Sequence, residues 1–159
     1  MVNKKKKVNY ADIGFRFLAH ILDNIIQLFL AGMLLLIFLG IPIIIVNMIY
    51  TDPKDTPLAI LYAVFVVIAS FFVVSFYNQA YRVQKTGSSL GKQIMKIKIV
   101  KDSQKPADWN AALTRWIVKA VLLKVLGIIG LIIYIVPMLS RDDKKSIADM
   151  AAETIVVKK

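Results

Sequence analysis

Five polar side chains interrupt an apolar stretch near the N-terminus: Arg16, His20, Asp23, Asn24 and Gln27. Their positions, i, i+4, i+7, i+8 and i+11, fall on one face of a helix, so they form a stripe. A carboxylate in apolar surroundings can bind a proton and a cation in competition, which is the chemistry of an ion pathway. An arginine and an aspartate can equally tie helices together as a buried pair. Asn78 and Arg82, on a second apolar segment, and Arg115 and Asp149, further along, are candidate partners in either role. His20 is the single histidine and cysteine is absent. His20 therefore reads as a hydrogen-bonding residue, no metal site is expected, and disulfides are excluded.

A second cluster, Gly87-Ser88-Ser89-Leu90-Gly91-Lys92, invites comparison with a phosphate-binding loop. That loop needs four residues between its glycines and Ser or Thr after its lysine. Here there are three, and Gln93 follows Lys92, so the segment reads as a turn feeding a strand. Neither an HExxH nor a paired catalytic motif appears, and neither an enzymatic activity nor a cofactor is expected.

The stripe must be carried by a helix, predicted over residues 11–39, with Asp12 favourable at its positive end and Gly40 and Pro42 closing it. Thr51 to Pro57, with two prolines, is a loop, and a second helix is predicted over 58–82 with Pro57 suited to its first turn. Ser75, Asn78, Gln79 and Arg82 then lie level with the stripe, and the two helices would enclose a polar vestibule open at one end. Alternating Ile and Lys over 94–101 and the β-branched run 154–158 predict two short strands able to pair.

Pairing requires the chain between them to return to the side it left. In 108–139, Asp108, Ala112, Arg115 and Lys119 share one helical face, as in an interfacial amphipathic helix, and Gly127 and Gly130 offer a break. The apolar run that remains is about 18 Å long as a helix, short of a roughly 30 Å hydrocarbon layer. A re-entrant hairpin is the favoured reading and a third full span the alternative. Trp109, Trp116 and Tyr81 read as interface anchors.

Composition supports the membrane setting: hydrophobic residues make up 58% of the chain and mean hydropathy is +0.65. The net charge of +11 is unevenly placed. Lys4 to Lys7 form a basic tail (residues 1–10) before the first apolar segment, and Arg82, Lys85, Lys92, Lys96, Lys98, Lys101 and Lys105 follow the second, while the loop between them is nearly neutral. The first apolar segment holds Arg16 and Asp23 and lacks a cleavage site, so it reads as a retained helix, not a signal peptide. This asymmetry predicts both termini in the cytoplasm, contact with anionic headgroups there, and no nucleic-acid partner. The expected fold is an all-α membrane protein: two transmembrane helices, an amphipathic or re-entrant helical hairpin, and a short two-stranded β element at the cytoplasmic face.

Taken together, these motifs resemble the RDD family of bacterial membrane proteins, named for one arginine and two aspartates. Its R-x-x-A-x-x-x-D is matched by Arg16, Ala19 and Asp23, and its G-x-S-x-G-K by Gly87, Ser89, Gly91 and Lys92 ahead of Ile97 to Val100. Its later arginine is matched by Arg115, and its C-terminal pattern by Asp149, Thr154 and Val156-Val157. Literal Arg141-Asp142-Asp143 is not the motif. Lys96 and Glu153 stand where the family often has glycine, which bears on local turn geometry. The resemblance implies a bacterial inner-membrane location and two contrasting roles. One is cation/proton antiport or small-solute transport through an intramembrane Arg/Asp network, which with so few helices would require a homo-oligomer. The other is a non-transporting partner that regulates another membrane protein, such as a membrane protease.

Overall fold

The computed structural model describes residues 9–44 and 56–159. The basic run Lys4 to Lys7 and the loop from Thr51 to Asp55 lie outside them. Helix α1 spans Ile13–Leu35 and continues through a π turn, Leu36–Gly40, to Ile44. It thus runs past the expected end at residue 39. Pro42 lacks the N–H that would serve the Phe38 carbonyl four residues back, and the Tyr62 hydroxyl donates to that carbonyl instead, at 2.8 Å. Helix α2 spans Thr56–Phe76 and continues through a second π turn, Tyr77–Tyr81, and Arg82–Thr86. Both helices are long and apolar enough to cross a membrane.

Gly87 ends α2 in the left-handed conformation, at φ +74°, where only glycine is unstrained. The chain then forms helix α3, Leu90–Ile94, and strand β1, Ile97–Lys101. The strand expected over 94–101 is therefore shorter, because α3 takes Ile94 and Lys96, at φ +54°, makes the turn between them. Helix α4, Trp109–Ala120, passes through a third π turn, Val121–Val125, and helix α5, Gly127–Ser140, follows directly. Helix α6, Ile147–Ala151, leads to β2, Thr154–Lys158, which pairs antiparallel with β1 from Ile97↔Lys158 to Lys101↔Thr154. Residues 9–11 add to the free edge of β2: Tyr10 bridges Val157, and Ala11 N–H donates to the Val156 carbonyl.

Helices α4 and α5 form a hairpin whose tip is Leu126-Gly127. A Cβ on Gly130 would meet the Leu122 carbonyl oxygen at 1.6 Å, so the two arms touch backbone to backbone. Near the tip the hairpin lies level with Gln27 and Leu28 of α1, and near the end of α5 it lies level with Ile13 and Arg16. It thus enters along about 22 Å of α1 and returns to the end it came from, as strand pairing demands. The amphipathic reading of α4 is inverted in one respect. Ala112 and Arg115 on its polar face are buried inside the protein, while Ile117 on the other side is exposed. Trp116 is no surface anchor: its indole donates to Ser75 Oγ at 3.1 Å and its ring meets Phe72 and Phe76 edge-on.

Lys96 and Glu153 both hold positive φ without being glycine. Left-handed backbone costs such residues about 1–2 kcal/mol, partly offset by glycine's larger unfolded-state entropy of about 0.5–1 kcal/mol. Lys96→Gly and Glu153→Gly are each expected to stabilise the fold by about 0.5–1 kcal/mol, read as a higher midpoint of thermal unfolding. Gly130→Leu, at the hairpin contact, is expected to lower it.

Candidate functional site

The stripe on α1 does not form one network. Arg16, one turn into α1, points back toward the sheet end. Its Nε donates to the Ala11 carbonyl at 3.1 Å, its guanidinium to the carbonyls of Lys144 at 2.5 Å and Val156 at 3.0 Å, and it approaches Asp149 Oδ2 at 3.4 Å. Arg115 from α4 contacts Asp149 Oδ1 and donates to Thr154 Oγ at 2.5 Å. All three charged side chains are buried. Asp149 is placed by a capping box at the start of α6: Ser146 Oγ accepts from the Asp149 N–H, and Asp149 Oδ2 accepts from the Ser146 N–H. Burial pushes the Asp149 carboxyl up, but Arg115, the Ser146 N–H and Arg16 outweigh it and hold the group below the usual carboxylate range.

Asp23, two turns further along α1, belongs to a separate network. It is fully buried. Oδ1 accepts from Asn78 Nδ2 at 2.9 Å and from the Gly91 N–H at 2.8 Å, and Oδ2 accepts from Ser89 Oγ at 2.6 Å. Asn78 Oδ1 accepts the neighbouring Leu90 N–H at 2.9 Å. The first N–H groups of a helix have no partner within it. Here α1 and α2 each supply one side chain to cap α3, and the negative charge favours that end. The approach is so close that a Cβ on Gly91 would lie 2.2 Å from the Ala19 carbonyl oxygen. Gly91 and Ala19 are small because two backbones meet there.

The Gly87 to Lys92 loop is thus a plug docked on α1 and α2. Ser88 Oγ donates to the Ile97 carbonyl at 3.0 Å, and Ile99 N–H to the Gly87 carbonyl at 2.7 Å, tying the plug to β1. The loop also has the G-x-S-x-G spacing of a hydrolase nucleophile elbow. Ser89 is fully buried and gives its proton to Asp23, so it presents no nucleophile. The expected open vestibule is closed at this end. Arg82 stands apart from both networks, donating to Gln93 Oε1 at 2.7 Å with its Nε buried and without a partner.

His20, Asn24 and Gln27 turn to a different place, a cavity of about 790 Å³ bounded by α1, α2, α4 and the hairpin tip. His20 Nε2 and Asn24 Nδ2 lie 3.5 Å apart, Gln27 donates to the Phe71 carbonyl at 3.4 Å, and His20 Nδ1 is buried with no partner. Lys119 and Lys124 reach into the same cavity. Lys92 joins Lys119, Arg115 and Gln79 around an adjoining void of about 20 Å³, room for about one water. Desolvation lowers the Lys92 pKa, and Asp23 opposes it. Among the described residues, no three His, Asp or Glu are grouped to hold a metal ion.

Ser146 was not expected in these networks, nor was the part that Ser75 and Thr154 take in them. Ser146-Ile147-Ala148-Asp149 carries the capping-box spacing and is readable as such. The contacts of Ser75 and Thr154 lie across the fold and leave no local signal.

The two networks predict different sensitivities. Asp149→Asn leaves two buried guanidiniums without their carboxylate and is expected to cost about 3–5 kcal/mol. Asp23→Asn exchanges one acceptor oxygen for a donor against neutral partners and is expected to cost about 1–3 kcal/mol. Chemical denaturation of the purified variants, ranked against wild type, checks the order.

Neither a search of curated proteins nor one of solved structures finds a match to this chain. The family model of the RDD family matches residues 10–153, which contain Arg16, Asp23, Arg115 and Asp149 with the loop between them. The chain belongs to the RDD family.

Proposed function

We propose that this chain is an integral protein of the bacterial cell membrane. In this reading α1 and α2 cross the bilayer, the α4–α5 hairpin dips in from the cytoplasmic side and returns, and the sheet and both termini are cytoplasmic. Three observations support it. The two apolar helices run to 32 and 29 residues, about 48 and 44 Å, against roughly 30 Å of hydrocarbon. Large apolar side chains cover their outer faces, with Phe29 and Phe65 each 68% exposed. Among the described residues, Lys96, Lys98, Lys101, Lys158 and Lys159 lie in or beside the two strands, as the positive-inside rule requires of a cytoplasmic face.

Within the membrane the protein acts as a non-transporting partner that binds another membrane protein, such as a membrane protease, by helix packing. The closed coordination of Asp23 carries this reading. A carboxylate that exchanges protons and cations needs access to water, and Asp23 is wholly enclosed by three hydrogen-bond donors belonging to the fold itself. The second reading is cation/proton antiport or small-solute transport, favoured by the polar side chains His20, Asn24 and Gln27 around the large cavity. It needs further copies of the chain, because two spans and a hairpin are too few to line two gated half-channels.

Two experiments follow. Purified protein in liposomes is expected to dissipate no imposed pH gradient on cation addition, with a working antiporter as control; flux abolished by Asp23→Asn would establish transport instead. The chain has no native cysteine. In whole cells, single Lys98→Cys and Lys159→Cys variants are expected to react with an impermeant thiol reagent only after permeabilisation. Reaction in intact cells would overturn the proposed orientation.

A further inference from the structure

The large cavity is lined by polar side chains, Lys119, Lys124 and His20 among them, and by apolar ones such as Leu28, Phe71 and Leu131. Its volume of about 790 Å³ is that of a ligand site and not of a packing defect. Lys119 and Lys124 lie five residues apart, a spacing that an ordinary helix turns well away from one face. The π turn Val121–Val125 carries one extra residue and lets both reach the same space.

The positive charge here is met only at a distance, by Asp23 acting on Lys92 and Lys119 through space. Among the described residues, Lys92, Lys119 and Lys124 form neither an ion pair nor a side-chain hydrogen bond. The two nearest carboxylates are already engaged, Asp23 by neutral donors and Asp149 by two arginines. Ammonium groups in apolar surroundings are costly unless paired. Lys119 is half-buried and Lys124 exposed along an apolar hairpin, and among the described residues His20 Nδ1 is buried without a partner. An anion would answer both lysines, and the apolar side chains of the lining suit one that carries a hydrocarbon tail.

We propose that this cavity is a binding site for an anionic membrane lipid, with Lys119 and Lys124 receiving the phosphate and the slot between α1 and the start of α5 receiving an acyl chain. The site rests on the membrane placement proposed above. Lys92 and Arg115, around the adjoining small void, extend the positive field behind the phosphate.

Native mass spectrometry of the detergent-purified protein tests this with phosphatidylglycerol, phosphatidylcholine and inorganic phosphate as probes. Wild type is expected to retain one phosphatidylglycerol per chain, with about tenfold preference over phosphatidylcholine. Lys119→Gln and Lys124→Gln are expected to lose that preference. Ala120→Phe keeps every charge and fills the cavity wall, and is expected to lose the lipid altogether; Lys105→Gln, on the exposed surface, is expected to change nothing. Equal retention of both lipids, unchanged binding in Ala120→Phe, or displacement of the lipid by inorganic phosphate would each overturn the proposal. So would cross-linking that places a second copy of the chain in the cavity. Resistance of wild type to carbonate extraction, together with no lipid adduct, would sink the lipid site and leave the membrane placement standing. Release by carbonate would sink that placement.

Discussion

Asp149 is the point on which the fold closes. One carboxylate faces Arg16 from α1 and Arg115 from α4, while its own backbone starts α6 and leads into β2. Two positive charges against one negative would be a poor bargain in a dry interior, were the guanidiniums not also met by oxygens. Arg16 is served by three backbone carbonyls and Arg115 by the Thr154 hydroxyl. Because those carbonyls belong to Ala11, Lys144 and Val156, the arginine fastens the chain before α1, the approach to α6 and the last strand at once. Removing the carboxylate therefore breaks contacts between segments more than 130 positions apart, as the Arg16–Asp149 pair is.

Asp23 solves a different problem with the same residue type. A five-residue helix cannot satisfy its own first N–H groups, and α3 has to sit against two long helices whose backbone groups are already used. Asp23 and Asn78 supply the acceptors, and Gly91 and Ala19 give the room. Neutral donors contact Asp23 directly, while Lys92 and Lys119 add positive charge through space. This division explains why the stripe on α1 serves three places: Arg16 the sheet end, Asp23 the plug, and His20, Asn24 and Gln27 the cavity.

The periodic and compositional parts of this arrangement were legible in the sequence. Long apolar runs marked the two long helices, β-branched residues marked the strands, and the need for those strands to meet favoured a hairpin over a third crossing. The left-handed turns at Lys96 and Glu153 were foreshadowed by the glycines common at those places in the family. Side-chain direction was not legible. A helical wheel puts Arg16 and Asp23 on one face, but an arginine long enough to reach past the start of its helix leaves that face altogether. The polar side of α4 looked like a surface for the same reason. A wheel separates polar from apolar, and in a chain whose outside is apolar the polar side turns inward.

That inversion bears on what a buried charge means in such a protein. Intramembrane ionisable groups are usually read as ion pathways, because an unmet charge there is costly. In this chain the criterion separates two populations. Arg16, Arg115, Asp149 and Asp23 have their partners within the fold, so their energetics are complete without a ligand. Among the described residues, Lys119 and Lys124 make no ion pair, and they sit beside an open volume instead of a packed one. The residues that give the family its recognisable pattern hold the scaffold together. Under the proposed lipid site the ligand would fall to lysines outside that pattern, and function and family signature would be separable: the arginine and aspartates shape the groove, and the side chains lining it would decide what enters.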